Sequence, residues 1–151
     1  MKKWIWLAAL VLLLLPQRGT EVGKLLPVET LLVEKQAGQY RVSADTGSAG
    51  RGDSLEKAVD ALRAEAPGIL FLDTADYVLL TGEAEDCVER LQDYVRPGTR
   101  VYKLEGMVEL SEIGPFLKTH GPDAPLYRLQ KRELQLPKLM AKGEKLRFEG
   151  Q

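Results

Sequence analysis

With one cysteine and one histidine in 151 residues, Cys87 and His120, the chain has little material for several kinds of site. Cys87 has no partner for an internal disulfide, so packing must hold the fold. Two such residues also fall short of the four Cys or His ligands of the usual structural zinc sites. Positive charge is not in excess either: 21 Lys and Arg against 22 Asp and Glu leave a formal net charge of −1. Nucleic acid is therefore not an expected partner, because binding it rests on neutralising many phosphates. No internal repeat is present. What remains is a composition 44% hydrophobic and 28% charged, close to the globular average and unlike disordered chains. A chain of this length supports one domain with a sizeable core.

The one long apolar run comes first. Lys2 and Lys3 precede an unbroken apolar segment from Trp4 to Leu15, followed by Pro16, Gln17 and Arg18. A positive start and an apolar stretch of about 7–15 residues describe a secretory signal, whereas a spanning helix usually needs about 20 apolar residues. Gln17, Arg18, Gly19 and Thr20 offer no Ala-x-Ala cleavage pattern. Residues 1–20 are thus expected to be a signal peptide or a retained membrane anchor. Trp4 and Trp6 would sit at one interface and the two lysines on the cytoplasmic side. In either case the rest of the chain is expected outside the cytoplasm.

The body reads as an α/β (α+β) module, a mixed β-sheet with helices packed on it. Val28 to Val33 is apolar and β-prone, and Tyr40, Val42 and Ala44 alternate with Arg41, Ser43 and Asp45. The loop from Gln36 to Gln39, with Gly38 available for positive φ, suits an antiparallel hairpin with one wet face. Gly47 to Gly52 reads as a flexible connection. Asp53-Ser54-Leu55-Glu56 then has the form of a capping box with Asp53 as the cap. Leu55, Ala58, Val59, Leu62 and Ala66 share one face of the following helix, which Pro67 and Gly68 end. Ile69 to Leu72 and Tyr77 to Leu80 predict one interrupted strand or two short ones. From Ala84, the spacing of Cys87, Val88, Leu91, Tyr94 and Val95 predicts a second helix, stopped by Arg96-Pro97-Gly98. A strand over Arg100 to Leu104 and a helix over Glu112 to Thr119, capped by Ser111, follow. Leu134 and Leu136, then Leu146 and Phe148, alternate like strand residues. Residues 122–151 are therefore an extension that adds to the sheet or begins a second module.

Four features invite a chemical reading, and each has a plainer one. The glycines from Gly47 to Gly52 lie between a strand and a helix, where a phosphate would meet backbone N–H groups, but no Gly-Lys-Ser follows and Asp53 would repel an anion. Arg51-Gly52-Asp53 matches an adhesion tripeptide, yet Asp53 is better explained as a cap. Asp73 and Asp76 supply too few oxygens for calcium and fit a polar turn. Cys87 and His120 are the natural nucleophile and base, but Cys87 falls on an apolar face and His120 beside Gly121-Pro122 in an expected surface loop. No catalytic, metal or cofactor residue is assigned, and the chain is expected not to be an enzyme.

The run Asp53-Ser54-Leu55-Glu56-Lys57-Ala58-Val59 with Gly68-Ile69-Leu70-Phe71-Leu72-Asp73-Thr74-Ala75-Asp76-Tyr77-Val78-Leu79-Leu80-Thr81-Gly82-Glu83 resembles the N-terminal domain of the Ger(x)C spore germination proteins, the exported C subunits of germinant receptors. That family has a helix opening like TLFEAIR and a strand pair like RLYFGHTKVVIIGEE, and its early hairpin is similar to Val33–Asp45 here. The likeness spans roughly Leu26 to Gly106, within an expected domain of residues 26–121, and Leu136-Pro137 with Leu146 to Gly150 is faintly similar to the opening of the family's next domain. The family's lipobox Cys is missing from Pro16–Thr20, and its Gly-His before the second strand is Asp73-Thr74 here. The resemblance implies a non-enzymatic germinant-receptor subunit, here a short or degenerate member, and the missing Cys argues against lipid attachment. It would be associated with the extracytoplasmic side of the membrane, the inner spore membrane in a sporulating host, and would bind the receptor's membrane subunits. If the signal is cleaved, the protein would instead be secreted. The alternative is an exported small-ligand-binding module with a cleft formed by the Gly47–Gly52 and Asp73–Asp76 loops. A hydrolase built on Cys87 is a third, weaker reading.

Overall fold

A computed structural model describes residues 24–143 and 145–150. The expected signal or anchor, residues 1–20, lies outside these. The centre of the molecule is a seven-stranded mixed sheet in the order β4-β3-β2-β6-β7-β8-β9. Its strands are β2 (Thr30–Gln36), β3 (Gln39–Ala44), β4 (Ala49–Gly52), β6 (Tyr77–Gly82), β7 (Arg100–Glu105), β8 (Lys138–Lys142) and β9 (Lys145–Phe148). β2, β6, β7 and β8 run parallel, while β3 and β9 are antiparallel to their neighbours. A separate parallel ribbon joins β1 (Leu25–Pro27) to β5 (Ile69–Phe71). Among the described residues no helix is long and apolar enough to cross a membrane.

The expected hairpin forms. Ala37 and Gly38 both take positive φ, 49° and 76°, the twist that a two-residue turn between antiparallel strands needs. The strand expected from Val28 begins only at Thr30. Thr74 accepts a hydrogen bond from the Val28 N–H at 2.9 Å, and the Asp45 carboxylate accepts from the Glu29 and Thr30 N–H groups at 3.1 and 3.3 Å. These side chains hold the backbone out of the ladder between β1 and β2.

The stretch read as a flexible Gly-rich connection is mostly strand. Gly50 and Gly52 in β4 lie against α1 (Leu55–Glu65), and a methyl group at Gly50 would stand 2.1 Å from the Leu62 nitrogen. Glycine is needed there for close strand–helix approach. The cap of α1 is Ser54, not Asp53: the Ser54 hydroxyl accepts from the Lys57 N–H at 3.2 Å, and Asp53 instead pairs with the Lys57 ammonium at 2.8 Å. Ile69–Phe71 and Tyr77–Gly82 are two strands in different sheets, separated by the single 3₁₀ turn Leu72–Thr74.

The second predicted helix winds as a 3₁₀ helix, Ala84–Asp93, rather than an α-helix. In-register pairing of Tyr77 with Arg100 makes the connection return along the whole of β6, roughly 17–20 Å at about 3.3 Å per residue. Ten residues cover about 20 Å in a 3₁₀ helix but only about 15 Å in an α-helix, so the longer rise suits the path. α2 is Leu110–His120, and Ser111 lies inside its first turn, bonded to the Glu109 carboxylate at 3.1 Å rather than capping the backbone. A short α3 follows at Leu126–Gln130. The end of the chain adds to the sheet as β8 and β9, while Leu134 and Leu136 lie outside any strand.

Two apolar layers sandwich the sheet. On one face Val33, Val42, Val78, Leu80 and Val101 meet α1, α3 and the 3₁₀ helix, which contributes Ala84, Cys87 and Leu91. On the other, Leu79, Tyr102, Leu104, Leu139 and Phe148 meet Ile113 and Leu117 of α2. Leu79 and Leu80 are both fully buried in β6, which explains the unbroken apolar run at a central parallel strand.

Candidate functional site

α2 covers only part of its face. Beyond it, the outer side of β2 and β3 stays open, and there Leu32, Glu34, Arg41 and Ser43 floor a groove of about 360 Å³. Its far bank is the segment Gly106–Leu110, where Met107 is 91% exposed. Gly106 takes φ of +112°, and a side chain there would meet the Ala141 carbonyl at 2.2 Å, so glycine permits the sharp exit from β7 that brings Met107 and Val108 over the sheet. A neighbouring hollow of about 470 Å³ is lined by Glu34, Gln36, Gln39, Arg41 and Arg51. Glu34 and Arg41 face one another at 3.8 Å, both well exposed, a pair of little energetic weight but able to exchange partners. The surface is shallow, mixed in charge and apolar along one bank.

The 3₁₀ helix presents a second polar surface on the opposite face of the sheet. Lys35 near the end of β2 pairs with Asp86, and Lys103 of β7 pairs with Glu85, so two adjacent carboxylates are tied to two strands of the sheet. The hydrogen bond that the Lys35 ammonium donates to the Asp86 carboxylate raises the Lys35 pKa. Burial works to raise that of Asp86, but the bond and charge of Lys35 outweigh it and hold the carboxyl below its usual range. The Gln130 side-chain amide donates to the Val88 and Glu89 carbonyls at 3.2 and 3.3 Å, fixing the helix from α3. Glu89 and Gln92 remain exposed.

Cys87 and His120 are not brought together. Cys87 is fully buried under the 3₁₀ helix, where burial first and the Asp86 charge second push its thiol up to about 11. Its Sγ lies 3.6 Å from Asp86 Oδ1. A nucleophilic thiol needs the opposite, a depressed pKa beside a base or cation. His120 ends α2 on the other side of the sheet, its ring 5.0 Å from that of Phe116. Asp76 is occupied by Arg96 at 2.8 Å, and among the described residues no group of three or more His, Cys, Asp or Glu side chains could hold a metal ion. Gly47 borders the groove over β3, whereas the hollow beside Asp76 is lined by Glu29, Tyr77, Arg100 and Lys118. The two loops thus border different hollows.

Sequence reasoning missed the open groove and the close approach at β4. The second had a signal: glycines at 50 and 52 lie two apart and so share one strand face. The groove had none, because it arises from where α2 stops covering the sheet. Compared with known proteins, the chain matches no family model, no curated protein and no solved structure.

Proposed function

We propose that the protein is a non-enzymatic, exported subunit of a spore germinant receptor that binds the receptor's membrane subunits during nutrient-triggered germination. The Ger(x)C-like run from Asp53 to Glu83 carries the reading; in the fold it forms α1, β5 and β6. Two features are consistent with it: an apolar export segment at the start of the chain, and wide, shallow surfaces suited to a protein partner. Contacts are assigned to faces the core does not use, the polar side of the 3₁₀ helix first among them.

In a spore-forming host the tagged protein should co-purify with the receptor's membrane subunits from the inner spore membrane. Glu89→Lys combined with Gln92→Lys should weaken that association about tenfold while leaving circular dichroism and thermal unfolding unchanged. Spores lacking the protein should respond poorly to one class of nutrient and still germinate by receptor-independent routes. Normal nutrient germination in the deletion strain would overturn the assignment.

A further inference from the structure

We propose that the outer face of the β1–β5 ribbon is a membrane-contact surface, seated on the phospholipid interface beside the N-terminal apolar segment; this rests on reading that segment as a retained anchor. In the ribbon Leu25 pairs with Ile69, Leu26 with Leu70 and Pro27 with Phe71. Side chains alternate along a strand, so the middle pair faces away from the outer two. Leu70 is buried and Leu26 packs against the core, which turns Leu25, Pro27, Ile69 and Phe71 outward. Ile69 and Phe71 are exposed to 49% and 47%. Three of the five large hydrophobic side chains exposed among the described residues are on this ribbon, so the exposure is clustered rather than scattered.

Position in the chain indicates what covers it. Only residues 16–24 separate the apolar run from Leu25. Fully extended, that stretch reaches about 30 Å, so a run lodged in a bilayer keeps the ribbon within that distance of the interface. The patch is also the wrong size for a second copy: four half-exposed side chains offer on the order of 300 Å², against roughly 800 Å² per partner in a stable interface. A lipid surface makes no such demand, because a few apolar groups entering the headgroup boundary add to an existing tether.

The test uses the full chain in a Cys87→Ala background, reconstituted into vesicles of phosphatidylcholine and phosphatidylglycerol. A polarity-sensitive dye is attached to a single cysteine at Ile69→Cys, Phe71→Cys or, beyond the carboxyl end of β7, Met107→Cys. Circular dichroism checks each fold, and flotation reports anchoring separately. Dyes at 69 and 71 should shift to shorter emission wavelengths and be quenched at least twofold by lipids spin-labelled near the headgroup, while the dye at 107 shows neither. Vesicles that float with dyes at 69 and 71 as wet as at 107 would overturn the proposal and leave the anchor intact. Dye self-quenching that grows with protein density, without lipid quenching, would assign the ribbon to a second copy and overturn it too. A chain that fails to float would overturn the anchor reading and the proposal with it. None of these outcomes bears on binding to receptor subunits, which co-purification reads independently.

Discussion

At the scale of single residues, Cys87 and Gly50 show how burial decides a role. Burial pushes the Cys87 thiol up to about 11 in the folded protein, from an ordinary value of 9.0. Between those values the folded state holds a proton that the unfolded state has released, so stability is full below about pH 9 and falls as pH rises towards 11. Denaturation at pH 8 and pH 10.5 should show this loss, up to about 2 kcal/mol, and Cys87→Ala should shrink it. Tyr102, pushed up by burial to about 12, leaves a residual loss above pH 10 in both chains. Thiol reagents should label native Cys87 slowly; rapid labelling would contradict its burial. Cys87→Ser should cost about 1–3 kcal/mol through a poorly paired hydroxyl. Gly50→Ala should cost about 1–3 kcal/mol or more, because the added methyl meets the backbone of α1, which cannot move aside. Gly98→Ala meets nothing within 4 Å and should be neutral or slightly stabilising in the same thermal unfolding assay.

At the scale of elements, the apolar spacing predicted the existence and order of most helices and strands, but their ends were set by contacts from elsewhere. Two serines separate these effects. Ser54→Ala removes the cap of α1 and should cost about 1 kcal/mol, whereas Ser111→Ala, whose hydroxyl meets only the exposed Glu109 carboxylate, should change stability little. Equal losses in urea denaturation would place a cap at both. Local rules pointed to Asp53 because it opens a capping box. The structure passes that role one residue on, since the Asp53 carboxylate is held by Lys57. The 3₁₀ winding of Ala84–Asp93 was likewise illegible. Ala84, Cys87 and Leu91 fit either winding as buried positions, and the choice depends on the distance between strand ends that the segment must cover.

At the scale of the whole molecule, the orientation proposed at the membrane rests on the charge at the start of the chain. Protease added to intact protoplasts should digest the domain after Pro16, while survival beside a digested external control would reverse that orientation. The sequence by itself determined an α/β core of helices on a mixed sheet, and it places Lys2, Lys3 and an apolar run ahead of that core, because hydrophobic periodicity, residue counts and short turn signals are local. Tertiary structure alone decided the strand order, the joining of Lys138–Phe148 to the main sheet, the outward apolar face of the β1–β5 ribbon and the open groove over β2 and β3. Strand partners are chosen among segments far apart in the chain, such as Leu25 with Ile69 or Lys103 with Lys138. A given side chain's exposure depends on which distant segment lies over it, and no local pattern carries that information.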